Sequence, residues 1–275
     1  MSIATSLPNL FIDVSAALQK MPQLAFGDIV GGNIVDLTLI VGLAILIGNI
    51  NLPAKSRMVQ STAIFTVGIA IIPLLLIMDG KIERMDGVIL IMSFFLYAMW
   101  LFRKKGRFIK DYEGEKVEVK DFLKSLGSMF VFIFFLLIAS QGIVSSAREF
   151  SSYFNISLPV VGILLLGLSN CASEGYFSII SAKKKENWMI LGNLMGSVIV
   201  CSTLVLGIVA LIAPFEIADF STFIPARIFL MVSSLFFLLF LRSGRTITKK
   251  EGVFLIAVYF AFLFFELYLK NINLF

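Results

Sequence analysis

The chain has 275 residues, of which 59% are hydrophobic and 15% charged, and its formal net charge is +5. A soluble globular domain contains about 45–50% apolar residues, so this composition excludes a soluble globule and indicates a protein of the lipid bilayer. The sequence contains no histidine, which excludes a Ser-His-Asp triad and histidine metal sites.

Apolar stretches long enough to cross a bilayer, which takes about 20 residues, follow one another along the chain. The first, residues 1–20, is predicted to be part of a ninth helix and not a signal peptide, because it lacks a basic start and carries Asn9 and Asp13 in its middle. The sequence therefore predicts an all-α integral membrane protein. Eight full spans are predicted at residues 25–48, 57–78, 86–102, 122–147, 157–182, 187–213, 221–241 and 250–269.

The basic residues are concentrated in four loops that alternate with more acidic ones. Because cytoplasmic loops are enriched in Lys and Arg, we expect the basic loops to be cytoplasmic in a multi-pass protein of the cell membrane. This distribution accounts for the net charge of +5 without a nucleic-acid partner. The loops predicted to be cytoplasmic are residues 49–57, 103–121, 183–187 and 242–250.

The sequence repeats itself at an offset of 165 residues. Residues 4–9 correspond to residues 169–174, and residues 27–32 correspond to residues 192–197. The longest polar stretch separates the two copies. The predicted organisation is a first repeat in 1–102, a cytoplasmic linker in 103–121 and a second repeat in 122–275.

The two repeats differ in length before the shared motif. About 47 residues of the second repeat precede it, but only three residues precede Ala4. We therefore expect a complete pattern of five helices in each repeat, with the first helix absent from this chain. An odd number of spans per repeat gives the two copies inverted orientations in the membrane.

Acidic and amide side chains lie inside the apolar stretches of both repeats. Asp28, Gly32 and Asp36 are spaced four residues apart and share one helix face, and Asn9 and Asp13 share another. An intramembrane charge costs about 2.5 kcal/mol or more, and no Lys or Arg lies at the same depth in the sequence. A bound cation is therefore the expected counter-charge. The corresponding polar residues of the second repeat are Glu174, Asn193 and Ser197.

Small residues and one proline accompany these polar groups. The Gly-x-x-x-Gly spacing of Gly27 and Gly31 recurs at Gly192 and Gly196, and it predicts helices that approach each other closely in both copies. Pro8 is expected to interrupt its helix and to free backbone carbonyls as ligands.

These segments resemble the alpha-repeats of the cation/Ca²⁺ antiporter superfamily, which contains the sodium/calcium exchangers and their bacterial relatives. Repeats of that family read Gly-Thr-Ser-Leu-Pro-Glu, followed by Gly-Asn/Asp-x-x-Gly-Ser-Asn-x-x-Asn/Asp. The first copy keeps Thr5, Ser6, Leu7, Pro8, Gly27, Asp28, Gly31, Asn33 and Asp36. The second copy keeps Glu174, Gly192, Asn193, Gly196 and Ser197.

The resemblance implies a secondary active antiporter, not an enzyme, that exchanges Ca²⁺ for Na⁺ or H⁺ by alternating access. Small inorganic cations would be its cargo, and no cofactor is implied. The helix at 122–147 would slide across the helices that hold the ions. The implied cation-binding residues are Thr5, Ser6, Asn9, Asp28, Gly32, Asp36, Asn170, Glu174, Asn193 and Ser197. The implied direct metal ligands are Asp28, Glu174, Asn9 and Asn193.

The chain also departs from the family pattern. Asn9 stands where the family has a glutamate, opposite Glu174. Asp28 restores one carboxylate, so Asp28 and Glu174 formally neutralise one divalent ion. Asp13 and Asp36 either add charge or stay protonated when the site is empty.

In the second copy, Asn170 and Cys171 replace the usual hydroxyl residues, and Ser173 replaces the proline. These losses favour one alternative, a degenerate repeat protein that binds ions without transporting them. Cys171 and Cys201 are alternatively soft ligands for zinc or manganese-group metals, although buried free cysteines more often serve in packing.

A third alternative is a membrane enzyme that uses carboxylates as acid and base. It is disfavoured because a catalytic pair does not require the same glycine and amide pattern twice. The counter-ion, the stoichiometry and the oligomeric state do not follow from the sequence.

Overall fold

The computed structural model describes residues 2–103, 119–217 and 223–273. Within them, eight helices are long and apolar enough to cross a membrane, which confirms an all-α integral membrane protein. The helices are α1 (Ser2–Thr5 and Leu7–Leu18), α2 (Pro22–Gly48), α3 (Arg57–Leu76, continued by a 3₁₀ turn at Ile77–Asp79), α4 (Arg84–Arg103), α5 (Val119–Tyr153), α6 (Leu158–Lys183), α7 (Asn187–Ile212), α8 (Ile224–Arg242) and α9 (Lys249–Asn273).

Three of these helices contain a π-helical turn. In α2, α-helix Pro22–Val35 is followed by π-helix Asp36–Ile40 and α-helix Val41–Gly48. In α7 the order is Asn187–Val200, Cys201–Val205 and Leu206–Ile212. Helix α6 consists of Leu158–Val161, π-helix Gly162–Leu166, Gly167–Asn170 and, after a break at Cys171, Ala172–Lys183. Such π-helical turns are frequent at functional sites.

The predicted spans match the observed helices except at a few ends. Helix α5 continues to Tyr153 instead of ending at residue 147 as predicted. Arg148 and Glu149 are polar, yet nothing interrupts the helix before Asn155, which adopts a left-handed φ of 51°. Residues 104–118, most of the predicted linker 103–121, lie outside the described residues, as does Asp219 of a predicted acidic loop.

Two short antiparallel strand pairs connect loops that are distant in sequence. Strand β1 (Leu52–Pro53) pairs with β4 (Thr246–Ile247), and β2 (Lys81–Ile82) pairs with β3 (Phe215–Glu216). The first pair brings the end of α2 next to the end of α8. The second pair brings the end of α7 next to the end of α3, at the opposite end of α3. Helices α2 and α7, which correspond at the offset of 165 residues, therefore run in opposite directions.

The same offset relates the local geometry of the two copies. The break at Ser6 corresponds to the break at Cys171, and the two helices that follow these breaks each have 12 residues. The π-helices of α2 and α7 also lie 165 residues apart. Lys20 and Lys185, which end the equivalent helical segments, both have φ of 61°. The repeat read from the sequence is therefore also a repeat of backbone conformation.

Burial differs strongly between the helices. In the most apolar window of α2, 83% of the residues are buried, compared with 11% in α5. Helix α2 packs against the first half of α6, where a Cβ atom on Gly27 or Gly31 would lie 2.2 Å from Pro159 O or 2.1 Å from Ile163 O. The prediction of close approach is confirmed here. In α7 it is also confirmed at Gly196, where a Cβ atom would lie 2.5 Å from Ser2 Cβ, but it is wrong at Gly192, where no described atom of another segment lies within 4 Å of the corresponding position.

Candidate cation-binding site

The two helix breaks face each other in the centre of the molecule. The hydroxyl of Ser173, just after the break in α6, donates to the backbone oxygen of Thr5 over 3.1 Å. On the other side of the break in α1, the hydroxyls of Ser6 and Ser197 share a hydrogen bond of 3.1 Å. Thr5 Oγ1 donates to Asn193 Oδ1 over 3.2 Å. Polar groups freed at one break are therefore paired with the other repeat.

A small internal cavity lies beside these breaks. Because its walls come from α1, α2, α6 and α7, both repeats contribute to it. The residues that line it are Asn9, Asp13, Asp28, Ile29, Gly32, Asn33, Asp36, Cys171 and Cys201.

Several of the oxygens around this cavity have no hydrogen-bond partner. They are Asn9 Oδ1, both carboxylate oxygens of Asp13, and Asp36 Oδ1. All three side chains are buried, with at most 7% of their surface exposed. A buried polar group without a partner is costly. Unpaired oxygens from α1 and α2 therefore form a set of free acceptors that a cation can satisfy.

Asp28 links the cavity to the second repeat. The amide of Asn170 in α6 donates a hydrogen bond to Asp28 Oδ2, and the carboxyl group of Asp13 interacts with that of Asp28 from the other side. Asp28 Oδ2 is therefore held in position beside the cavity by a residue of the second repeat.

Glu174 has a different environment. It is fully buried, and its two carboxylate oxygens accept hydrogen bonds from Ser173 over 2.6 Å and from Ser197 over 2.9 Å. It does not line the cavity. The structure therefore divides the predicted residues into two sets. The cavity residues are Asn9, Asp28, Gly32 and Asp36, and the residues around the two helix breaks are Thr5, Ser6, Asn170, Glu174, Asn193 and Ser197.

The four predicted metal ligands are distributed over both sets. Asn9 and Asp28 line the cavity, whereas Glu174 and Asn193 lie among the residues around the helix breaks. Among the described side chains, no three His, Cys, Asp or Glu converge as a ready metal cage. Ligation here therefore requires amide, hydroxyl or backbone oxygens in addition to carboxylates, a mixed set that Ca²⁺ accepts and that Mg²⁺ uses less readily.

Sequence reasoning missed several contributors. Asp13 is not among the predicted binding residues, although the sequence analysis allows it to add charge to the site, and it lines the cavity. Asn33 lines the same cavity and donates to Ser202 Oγ over 2.7 Å. Asn33 belongs to the repeat motif, so the motif could have identified it, whereas Ser202 and Ser173 have no hydroxyl counterpart in the other copy.

The two cysteines are buried and free. Cys171 donates to the backbone oxygen of Gly32 over 3.3 Å, and Cys201 accepts a hydrogen bond from the Asn9 amide at 3.6 Å. Both sulfurs thus have partners that position neighbouring groups. These contacts favour packing over soft-metal ligation.

The basic residues described by the structure do not neutralise these acids. One ion pair, Lys81–Glu216, joins β2 to β3 at the surface over 2.6 Å. Glu216 raises the pKa of Lys81 through this hydrogen bond and its charge. Within the described residues, the carboxylates of Asp13, Asp28, Asp36 and Glu174 therefore form no ion pair with a basic side chain.

Comparison with known proteins gives consistent matches. The family model described as "Sodium/calcium exchanger protein" matches residues 1–103 and 124–268. The inner membrane protein YrbG of Escherichia coli is 28% identical over 265 residues, covering 92% of this chain and 80% of that protein. The sodium/calcium exchanger MaX1 of Methanosarcina acetivorans is 24% identical over 326 residues, covering 95% of this chain and 85% of that protein.

A solved structure has the same fold. The sodium-calcium exchanger NCX_Mj, soaked with Na⁺ and Sr²⁺, aligns with a TM-score of 0.68 at 23% identity. The alignment covers 95% of this chain and 82% of that one. The similarity in fold thus extends over both repeats.

Proposed function

The chain belongs to the sodium/calcium exchanger family, and from that premise we propose that it is a secondary active antiporter exchanging Ca²⁺ for Na⁺ or H⁺. Proteins of this family are transporters and not enzymes, which removes the alternative of a carboxylate-dependent membrane enzyme. The ions are cargo, and no cofactor takes part.

The observation that carries this proposal is the set of unpaired, buried oxygens around one cavity between the inverted repeats. Ca²⁺ takes six to eight oxygens in flexible geometry, including amide and backbone carbonyls. Asp28 and Glu174 supply two negative charges, and Asn9 and Asn193 supply amide oxygens. Thr5, Ser6, Asn170 and Ser197 hold these ligands in place, while Gly32 and Asp36 complete the wall on α2.

Alternating access requires an element that moves against the ion-holding helices. Helix α5 is the candidate, because few of its residues are buried. Its buried Val144 and Ala147 pack in one cluster with Ile12 and Ala16 of α1. An apolar contact of this kind allows sliding in lipid more readily than the backbone contact between α2 and α6. In this proposal, movement of α5 exposes the cavity first to one side and then to the other.

The mechanism is tested by ion flux in proteoliposomes that contain the purified protein. An imposed Na⁺ or H⁺ gradient is expected to drive Ca²⁺ uptake. Asp28→Asn and Glu174→Gln are each expected to abolish it, because either change removes one of the two proposed ligand charges. Glu216→Gln removes an exposed acid and is the matched control. Ca²⁺ binding without flux under either gradient would favour the degenerate, non-transporting alternative.

The sidedness follows from the basic loops. The end of the molecule that carries β1 and β4 also carries Lys55, Arg245 and Lys249, and we place this end in the cytoplasm. In intact cells, a membrane-impermeant thiol reagent is expected to label Asp79→Cys but not Lys55→Cys. These two exposed positions lie at opposite ends of α3, and both native cysteines are buried. Labelling of Lys55→Cys alone would reverse the topology.

A further inference from the structure

Asp13 is the most poorly satisfied acid of the core. It lies one helical turn after Asn9 on α1, and none of its side chain is exposed. Apart from the neighbouring carboxyl group of Asp28, no described group pairs with either of its carboxylate oxygens. It lines the cavity together with Asn9 and Asp28. A carboxylate in this position requires something else to satisfy it.

The groups facing Asp13 are also acceptors. The carboxyl group of Asp28 interacts with it directly. Asn9 Oδ1 and Asp36 Oδ1 are buried on the same cavity and have no partner. Carboxylate oxygens that share one wall repel each other unless a proton or a cation lies between them. Two carboxylates and an amide oxygen fit a divalent cation with oxygen preference.

The second repeat provides a comparison at each of these positions. The residue equivalent to Asp13 is Ser178, which is buried but uncharged. The one acid of that repeat in this region, Glu174, already accepts two hydroxyl hydrogen bonds. Acidic side chains whose oxygens have no hydrogen-bond partner are therefore concentrated on α1 and α2. The carboxylate absent at Asn9 is in effect replaced one turn later on the same helix.

We propose that Asp13 is a further direct ligand of the divalent cation, in addition to Asp28 and Glu174, with Asn9 and Asp36 beside it. The cation then lies on the side of the cavity that α1 and α2 form, and Glu174 approaches it from α6. This inference rests on the proposed function, because it assigns a further ligand to the same transported ion. It extends the site by one residue that lies outside the repeat motif.

The test measures Ca²⁺ binding to the full chain in detergent by titration calorimetry and by the rise in unfolding temperature on adding Ca²⁺. Asp13→Asn is expected to weaken Ca²⁺ binding at least tenfold and to remove the rise in unfolding temperature. Asp13→Ser introduces the residue type of the equivalent position and is expected to act in the same way. Ser178→Ala, the control in the second repeat, is expected to stay within twofold of the wild type.

The outcomes separate this inference from the proposed function. If Asp13→Asn and Asp13→Ser fold and bind Ca²⁺ within twofold of the wild type while Asp28→Asn does not bind, Asp13 is not a ligand and the proposed function stands. If the wild type binds no Ca²⁺, the proposed function fails and this inference fails with it. If Asp13→Asn does not fold, Asp13→Glu decides, because it keeps the charge. Its retention of Ca²⁺ binding supports ligation, and its loss with an intact fold shows that the charge alone does not hold the ion.

Discussion

Helices α2 and α7 carry the same glycine spacing at equivalent positions but pack in different ways. A Cβ atom on Gly27 would lie 2.2 Å from the backbone oxygen of Pro159, because α6 lies directly against α2. The equivalent Gly192 has no described atom within 4 Å of that position. The Gly-x-x-x-Gly pattern thus indicates where a backbone can approach, and the surrounding fold decides whether one does.

The acids show the same contrast. Asp13, Asp28 and Asp36 in the first repeat correspond to the neutral residues Ser178, Asn193 and Cys201 in the second. In the opposite sense, neutral Asn9 corresponds to Glu174. The backbone therefore follows an inverted repeat while the charge does not. An ion between the two copies lies in an asymmetric field, which favours the first repeat as the place where it binds.

The glycine pair gives the largest expected effect on stability. Gly27→Ala forces α2 away from Pro159, and overpacking of this kind costs about 1–3 kcal/mol. Gly192→Ala introduces a better helix former into open space, and is expected to be neutral or to stabilise by up to about 1 kcal/mol. Thermal unfolding of both variants in detergent measures the difference. Equal destabilisation by the two substitutions would show that Gly192 is also closely packed and would remove the contrast.

The sequence predicted the frame of the molecule well, because hydropathy and helix-ending residues act locally. The span predicted at 57–78 is observed at Arg57–Asp79, and the one predicted at 187–213 at Asn187–Ile212. The contact between Asp13 and Asp28 was not predictable in this way. It depends on how α1 and α2 rotate against each other, and one sequence does not contain that rotation. For the same reason, the hydroxyl bonds of Glu174 emerged only from the fold.

A second prediction adds a further acid to the first repeat. Asn9→Glu places a carboxylate where the second repeat has Glu174, next to a cavity that Asn9 already lines. Because Ca²⁺ affinity depends on the number of charged ligands, we expect Ca²⁺ binding to tighten by about tenfold, which corresponds to ~1.4 kcal/mol. Asn9→Gln lengthens the side chain equally without adding charge, so it is the control and is expected not to tighten binding. The measurement is titration calorimetry in detergent.

The smallest expected effect on stability concerns the two short strand pairs. Lys81 and Glu216 form an ion pair between β2 and β3, whereas Thr246 and Asn51 occupy the equivalent positions at the other end. Side chains this exposed, 49% for Lys81 and 68% for Glu216, gain little from pairing because water and salt screen the charges. At pH 7 we therefore expect Glu216→Gln to leave the unfolding temperature and Ca²⁺ binding unchanged within error.

The dependence on pH sharpens this last prediction. Glu216 raises the pKa of Lys81 above its ordinary value of 10.5. Any stability from the pair is therefore fully present below the ordinary pKa and is lost as the pH rises through the raised one. Between pH 6 and 9 the wild type and Glu216→Gln should thus keep a constant difference in unfolding temperature. A difference in unfolding temperature that changes between pH 6 and 9 would have to come from groups other than Lys81 and Glu216. The buried acids of the first repeat are the first candidates, because the two copies differ in charge at those positions.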